Sequence, residues 1–194
     1  IEKPVRRRNT SRDRILEIAT KHFAKHGYSG TSLEQVVKDA GVTRGALYHH
    51  FTDKHELCRL VCHKMQTESV KEIKAAIASA SNPWEAFINA VHATIDVAAK
   101  PNVRRILFTE RESVLLPKEW DQLRAETNFW AMEPAMKNAM DQGYMEHRPV
   151  HALHAVISMS ISRITAIAAY SETLSIEEVH AEFDDWLERY RIKK

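Results

Sequence analysis

The sequence predicts an all-α protein of about nine helices, a small N-terminal helical domain followed by a larger one. Three observations carry this. Gly and Pro are scarce, five and six in 194 residues, whereas the strong helix formers Ala, Leu, Glu, Lys and Arg are plentiful. Apolar residues recur at three- and four-residue spacing along the chain, and no segment reads as a strand. Helix-start signatures, a hydroxyl or carboxylate followed three positions later by an acid, stand at the heads of these periodic segments.

The chain opens on a basic arm, Arg6-Arg7-Arg8, a charge run that either stays solvated or meets an anion. Thr10 and Asp13 have capping-box spacing, and Ile15, Leu16, Ala19, Phe23 and Ala24 then recur at helical period up to Gly27, which ends the first helix. Thr31-Ser32-Leu33-Glu34 reads as a second box. It opens a short helix with Leu33, Val36, Val37 and Ala40 inside, stopped by Gly41. Thr43 caps a third short helix from Arg44 to about Phe51. Thr52 or Asp53 caps a fourth, which runs to about Ala80.

Asn82-Pro83 starts the next helix, with Pro at the first helical position. Lys100-Pro101-Asn102 breaks it, and a short helix around Val103 to Phe108 follows. Pro117 opens a long helix that ends at Gly143 and carries Pro134 in its interior, where a kink near Trp130 is expected. Pro149 opens a very apolar helix up to about Tyr170, and Ser175 with Glu178 caps the last one, to about Tyr190.

Net charge is +2, yet residues 1–55 carry +5 and residues 56–194 carry −3, so an anionic partner is expected for the first part alone. The two cysteines, Cys58 and Cys62, make no disulfide framework. Ile1 to Thr10 is basic with no apolar run, and Pro149 to Ser162 is too short and polar to span about 30 Å of hydrocarbon. A cytoplasmic protein without a membrane span is expected.

Two short helices joined by a tight glycine turn can form a helix-turn-helix, its second member free to enter a DNA major groove. The residues also carry a pattern. Phe23 and Tyr28, Thr31-Ser32 and Val36, Ala40-Gly41-Val42, and Gly45-Ala46-Leu47-Tyr48-His49-His50-Phe51 followed by Lys54 and Leu57 resemble the DNA-binding domain of the TetR family. The resemblance covers roughly residues 10 to 57, and a weaker one continues through Val103 to Leu107 and the Trp120 region. It implies a DNA-binding domain over 1–57 and an effector-binding and dimerisation domain over 58–194, acting as a homodimeric regulator of transcription released from double-stranded DNA by a small molecule.

Thr43, Arg44, Gly45 and Ala46 lie at the start of the recognition helix, nearest the groove floor. Arg44 can grip guanine or a phosphate, and Gly45 lets the backbone approach. The resemblance implies contacts from Tyr48, His49 and His50, of which Tyr48 has a partly buried alternative. Lys54, Thr31 and Ser32 can reach phosphates. In the larger domain, His92, Arg105, Phe108, Trp130 and Met136 are candidate ligand contacts, though aromatics and Met also serve as ordinary core. Arg105 or Arg111 can pair with an acidic ligand. Val156, Ile157, Ser160, Ile161, Ile164, Ala168, Phe183, Trp186 and Leu187 form apolar stripes, which the resemblance assigns to a two-fold interface.

No Gly-rich phosphate loop, nucleophile elbow or HExxH is present, and none of the eleven histidines has a recognised catalytic spacing, so neither an enzyme nor a cofactor is expected. His55, Cys58 and Cys62 share a helix face and offer an alternative, a metal- or redox-responsive switch. Their helical spacing lacks the short loop of structural zinc sites, and no metal is assigned.

Overall fold

The structure, a computed structural model, describes residues 10–110, 114–127 and 131–193. The arm Arg6-Arg7-Arg8, Arg111 and Trp130 lie outside them. The chain packs as two compact units, Ile1–Cys62 and His63–Lys194, divided within the fourth helix.

In the first unit, α1 (Ser11–Gly30) is capped by a true box: the Thr10 side chain accepts from Asp13 N and the Asp13 carboxylate accepts from Thr10 N. Gly27 interrupts it with φ 72 and ψ 178, a conformation essentially reserved to glycine. α2 (Leu33–Ala40) is capped by Ser32, not Thr31, and ends on Gly41 in the left-handed region, φ 62 and ψ 39. α3 (Arg44–His50) follows after two residues. α1 packs on both α2 and α3, and Ile15, Ala19, Phe23, Val36, Leu47, Phe51, Leu57 and Val61 are all sealed from solvent. α4 (Lys54–Ala78) begins with Asp53 Oδ1 accepting from Glu56 N at 2.7 Å while Glu56 accepts from Thr52 N and Oγ1.

The second unit is built around α5 (Pro83–Ala99), whose Trp84, Phe87, Ala90, Val91, Ile95 and Ala98 are buried. α6 (Pro101–Val103) runs into a π-helical turn, Arg104–Thr109, closed by Glu110 N donating to Arg105 O at 3.0 Å. Then come α7 (Pro117–Thr127), α8 (Met132–Asp141), α9 (Val150–Ala168) and α10 (Ile176–Glu188). α5 packs against α8, α9 and α10. Among the described residues there is no strand, only one antiparallel bridge between Met145 and Arg191 that ties the ends of α8 and α10.

Two expectations are corrected. The long helix from Pro117 to Gly143 is two helices, and Pro134 is the third residue of α8. In a first turn its missing N–H has no intrahelical acceptor to lose, and the kink expected near Trp130 falls on residues outside those described. Second, α9 continues beyond Ser162 to Ala168, and by length and composition its 19 residues suffice to cross a membrane. Leu153, His154, Ile157, Ile161 and Thr165 turn inward into the protein core, and the rest of the helix is largely uncovered.

Candidate nucleic-acid interface

The recognition segment is set by three local devices. Gly41 supplies the left-handed residue that lets Val42 N reach back to Val37 O at 3.2 Å. Thr43, extended at φ −83 and ψ 157, caps α3 by accepting from Ala46 N at 3.1 Å. Leu47 and Phe51, each 1% exposed, pin the inner face of α3 to the unit's core. Burying these two side chains is worth about 1.5–3 kcal/mol each and leaves the other face outward.

That outer face carries Arg44, Gly45, Tyr48 and His49, all exposed, with Thr43 exposed at its start and Ala46 and His50 half-buried. The Arg44 guanidinium lies 5.7 Å from the centroid of the Tyr48 ring and 3.8 Å from Glu34 Oε1 on α2. His50 Nε2 is 2.7 Å from Ser11 Oγ, which fastens the end of α3 to the root of α1. A Cβ at Gly45 would meet only Thr43 Oγ1, at 3.9 Å, so the protein's own packing does not demand glycine there. Lys54 Nζ donates to Ser29 O at 3.3 Å and sits 4.7 Å from the centroid of Tyr28. Burial pushes the Tyr28 phenol upward, so it remains neutral beneath the ammonium. A cleft of about 340 Å³ opens between the starts of α2 and α3, lined by Ser32, Leu33, Glu34, Val37, Arg44, Leu47 and Tyr48.

One sequence candidate leaves this face. Thr31 is 3% exposed and its hydroxyl donates to Gly27 O at 2.6 Å. A buried hydroxyl already committed to a carbonyl does not reach a phosphate. Ser32, exposed at the head of α2, keeps that position, although its oxygen accepts from Gln35 N. Glu34 was not among the candidates. Its contact with Arg44 joins residues ten positions apart on different helices, beyond what helical periodicity reveals.

The candidate ligand contacts of the second unit are placed unlike one another. Met136 is fully buried in the same core as Phe87 and Val91, and Phe108 packs against that core from its edge. Arg105 Nε pairs with Glu110 at 2.9 Å. His92 Nε2 pairs with Asp184 at 2.7 Å and its ring stacks on His180, centroids 4.5 Å apart, in a bridge between α5 and α10. Sequence reasoning missed a buried polar group. Gln66, wholly buried on α4, accepts from Thr127 Oγ1 at 2.9 Å, and its Nε2 has no hydrogen-bond partner among the described residues. The signal was its place on the inner stripe of Met65, Ser69, Val70 and Ile73. On another pair of helices, His154 Nδ1 of α9 lies 3.1 Å from Glu133 of α8, and burial holds this imidazole below its ordinary pKa.

The apolar stripes also divide. Ile157, Ile161, Phe183 and Leu187 are 5% exposed or less within one chain, so they belong to the protomer's own core and have no surface left to give a partner. Val156 and Ser160 are exposed, and Ile164, Ala168 and Trp186 are half-buried. Met159, 73% exposed, stands with Val156 on the outer face and was not singled out by periodicity. Cys58 and Cys62 are both buried, and no three His, Cys, Asp or Glu among the described residues are arranged to hold a metal ion.

Comparison with known proteins bears on both units. Residues 15–61 match the family described as bacterial regulatory proteins, tetR family, and residues 84–189, more than half of the chain, match the tetracyclin repressor-like C-terminal domain. The HTH-type transcriptional regulator AcrR of Shigella flexneri is 51% identical over 47 residues, 24% of this chain and 22% of that protein. The chain spans about a quarter of the length of such curated relatives. The HTH-type transcriptional repressor KstR2 of Mycobacterium tuberculosis is 21% identical over 141 residues, 70% of each chain. A TetR-family transcriptional regulator from Pectobacterium atrosepticum superposes with a TM-score of 0.75 at 26% identity, over 94% of this chain and 95% of the other. With both halves matched in order and over most of its length, the chain belongs to the TetR family of bacterial regulatory proteins.

Proposed function

We propose that this protein is a homodimeric repressor of transcription that binds a pseudo-palindromic site in double-stranded DNA and releases it when a small molecule occupies the second unit. The observation that carries the reading is the outward face of α3, where Arg44, Gly45, Tyr48 and His49 stand exposed behind the Thr43 cap. A helix offered this way enters a major groove N-terminus first, with Arg44 aimed at guanine acceptors or phosphate. Gly45 lets the backbone close on the DNA, and Ser32, Thr43, His49 and Lys54 supply donors for phosphates.

A second copy of the chain supplies the second recognition helix. Val156, Met159, Ile167 and Tyr170 leave an apolar outer side on α9 and its end, 46% to 87% exposed, more than an isolated helix face favours. A two-fold pairing there sets the two half-sites about one DNA turn, or a multiple of it, apart. The effector acts only through different affinities for the DNA-competent and released states, and α4, which runs through both units, is the segment that carries the change. The reading involves no catalytic step and places the protein in the cytoplasm with its DNA.

The test is selection of bound fragments from random duplex DNA by the purified full chain, followed by titration of the selected site at several salt concentrations. A two-fold repeated sequence and a linear fall of log affinity with log salt are expected. Lys54→Ala should flatten that slope by about one unit and weaken all sequences evenly. Recovery of no common sequence overturns the proposal.

A further inference from the structure

The DNA-facing surface contains a charge of the wrong sign for its partner. Glu34 is on the first turn of α2, 81% exposed at its side chain, on the rim of the cleft between α2 and α3. A carboxylate there repels the phosphate backbone. An acid in a first helical turn helps the helix by meeting its positive end, but that explains only its presence on α2. It does not explain why the side chain reaches across to Arg44, the first residue of α3, with Oε1 3.8 Å from Nη1. The Arg44 guanidinium also lies 5.7 Å from the centroid of the Tyr48 ring. Carboxylate and ring together give a long, mobile side chain one direction, and they lower its appetite for any passing phosphate.

The pair has a chemical complement. On the major-groove edge of a G·C pair, guanine shows two acceptors, N7 and O6, directly beside the N4 amine donor of cytosine. Arg44 offers two parallel N–H donors, and Glu34 beside it offers an acceptor and no donor. Adenine paired with thymine presents a different order of groups, and a bare phosphate meets only repulsion from Glu34. We propose that Glu34 is a specificity-determining residue, which together with Arg44 reads a G·C base pair and penalises DNA that lacks one at that position. This rests on the DNA-binding reading above and assigns to it one base pair in each half-site.

The test compares the full chain with Glu34→Gln, a change on an exposed side chain with Ser32, the cap of α2, left intact. Far-UV circular dichroism and the thermal midpoint check that the fold is unchanged. Each protein is used to select sites from random duplexes, and each is titrated against the wild-type site and against random-sequence duplex. In the variant, affinity for random duplex should rise, its salt slope should steepen by about one unit as Arg44 turns to phosphate, and the ratio of specific to random affinity should fall about tenfold. Selection should lose one G·C pair, symmetrically in both half-sites. Arg44→Ala should lose the same pair, and the double variant should lose little more than either single one. If Glu34→Gln leaves the ratio and the selected sequence unchanged, the inference is overturned and the DNA-binding reading stands. If the wild-type protein selects no sequence, both fall.

Discussion

The hydroxyl of Thr31 donates to the carbonyl of Gly27 at 2.6 Å, across the turn between α1 and α2. Both residues are buried. The bond holds the chain where Gly27 leaves helical geometry, and it spends a hydroxyl that otherwise belongs to the DNA face. Thr31→Val keeps the shape and removes the donor. It should lower stability by about 1–3 kcal/mol, the cost of leaving a buried carbonyl unpaired, read as a shift in the urea midpoint. The salt slope of DNA binding should be unchanged. A flatter slope would return Thr31 to the phosphate contacts.

A pair of substitutions separates the outer face of α9 from its inner one. Val156 and Met159 are 50% and 73% exposed, so Val156→Glu with Met159→Glu should leave the fold intact. Sedimentation velocity should then report a single chain, because two carboxylates per copy are brought against their symmetry mates. Affinity for a two-fold DNA site should collapse toward that for a half-site. A dimer that persists would remove this face from the interface.

Acid sensitivity should reveal His154. Desolvation lowers its pKa from 6.5, against the pull of Glu133, so the native state takes up a proton less readily than the unfolded chain. The sign follows from proton linkage: the stability present above pH 6.5 is lost as pH falls from there through the lower native pKa. Asp39, Glu56, Glu85 and Glu178 are carboxylates with lowered pKa values, through hydrogen bonds from His22, Thr52, Ser81 and Ser175. Their contribution is lost in a lower window, as pH falls below the ordinary carboxylate range. Thermal midpoints between pH 7.5 and 5.5 should therefore decline in the wild type and decline less in His154→Leu. Equal slopes would mean that His154 is not the group responsible.

Much of the local architecture is legible in the sequence. The boxes Thr10 with Asp13 and Ser175 with Glu178, the Asn82-Pro83 start and the Gly41 stop all form as their spacing predicts. Each is completed by groups within four residues of one another, which is why spacing alone reveals it. The second box slipped by one residue, from Thr31 to Ser32, because two adjacent hydroxyls compete and the choice between them is made by which one α1 buries. Pro134 stands in the first turn of α8, a place the sequence leaves open because proline marks either a kink or a first turn.

By itself the chain's order of residues determined that it is helical, where most helices begin, and that a short rod from Arg44 to His50 follows a glycine turn. These are properties of hydrogen bonds and backbone conformations closed over one or two turns. Only tertiary structure decided which apolar residues of α9 are core and which are left over, that Gln66 and Thr127 meet inside, and that Glu34 stands beside Arg44. Those outcomes depend on which faces of separate helices are pressed together, and a helix that is apolar on more than one side carries no mark of the side its neighbours will cover.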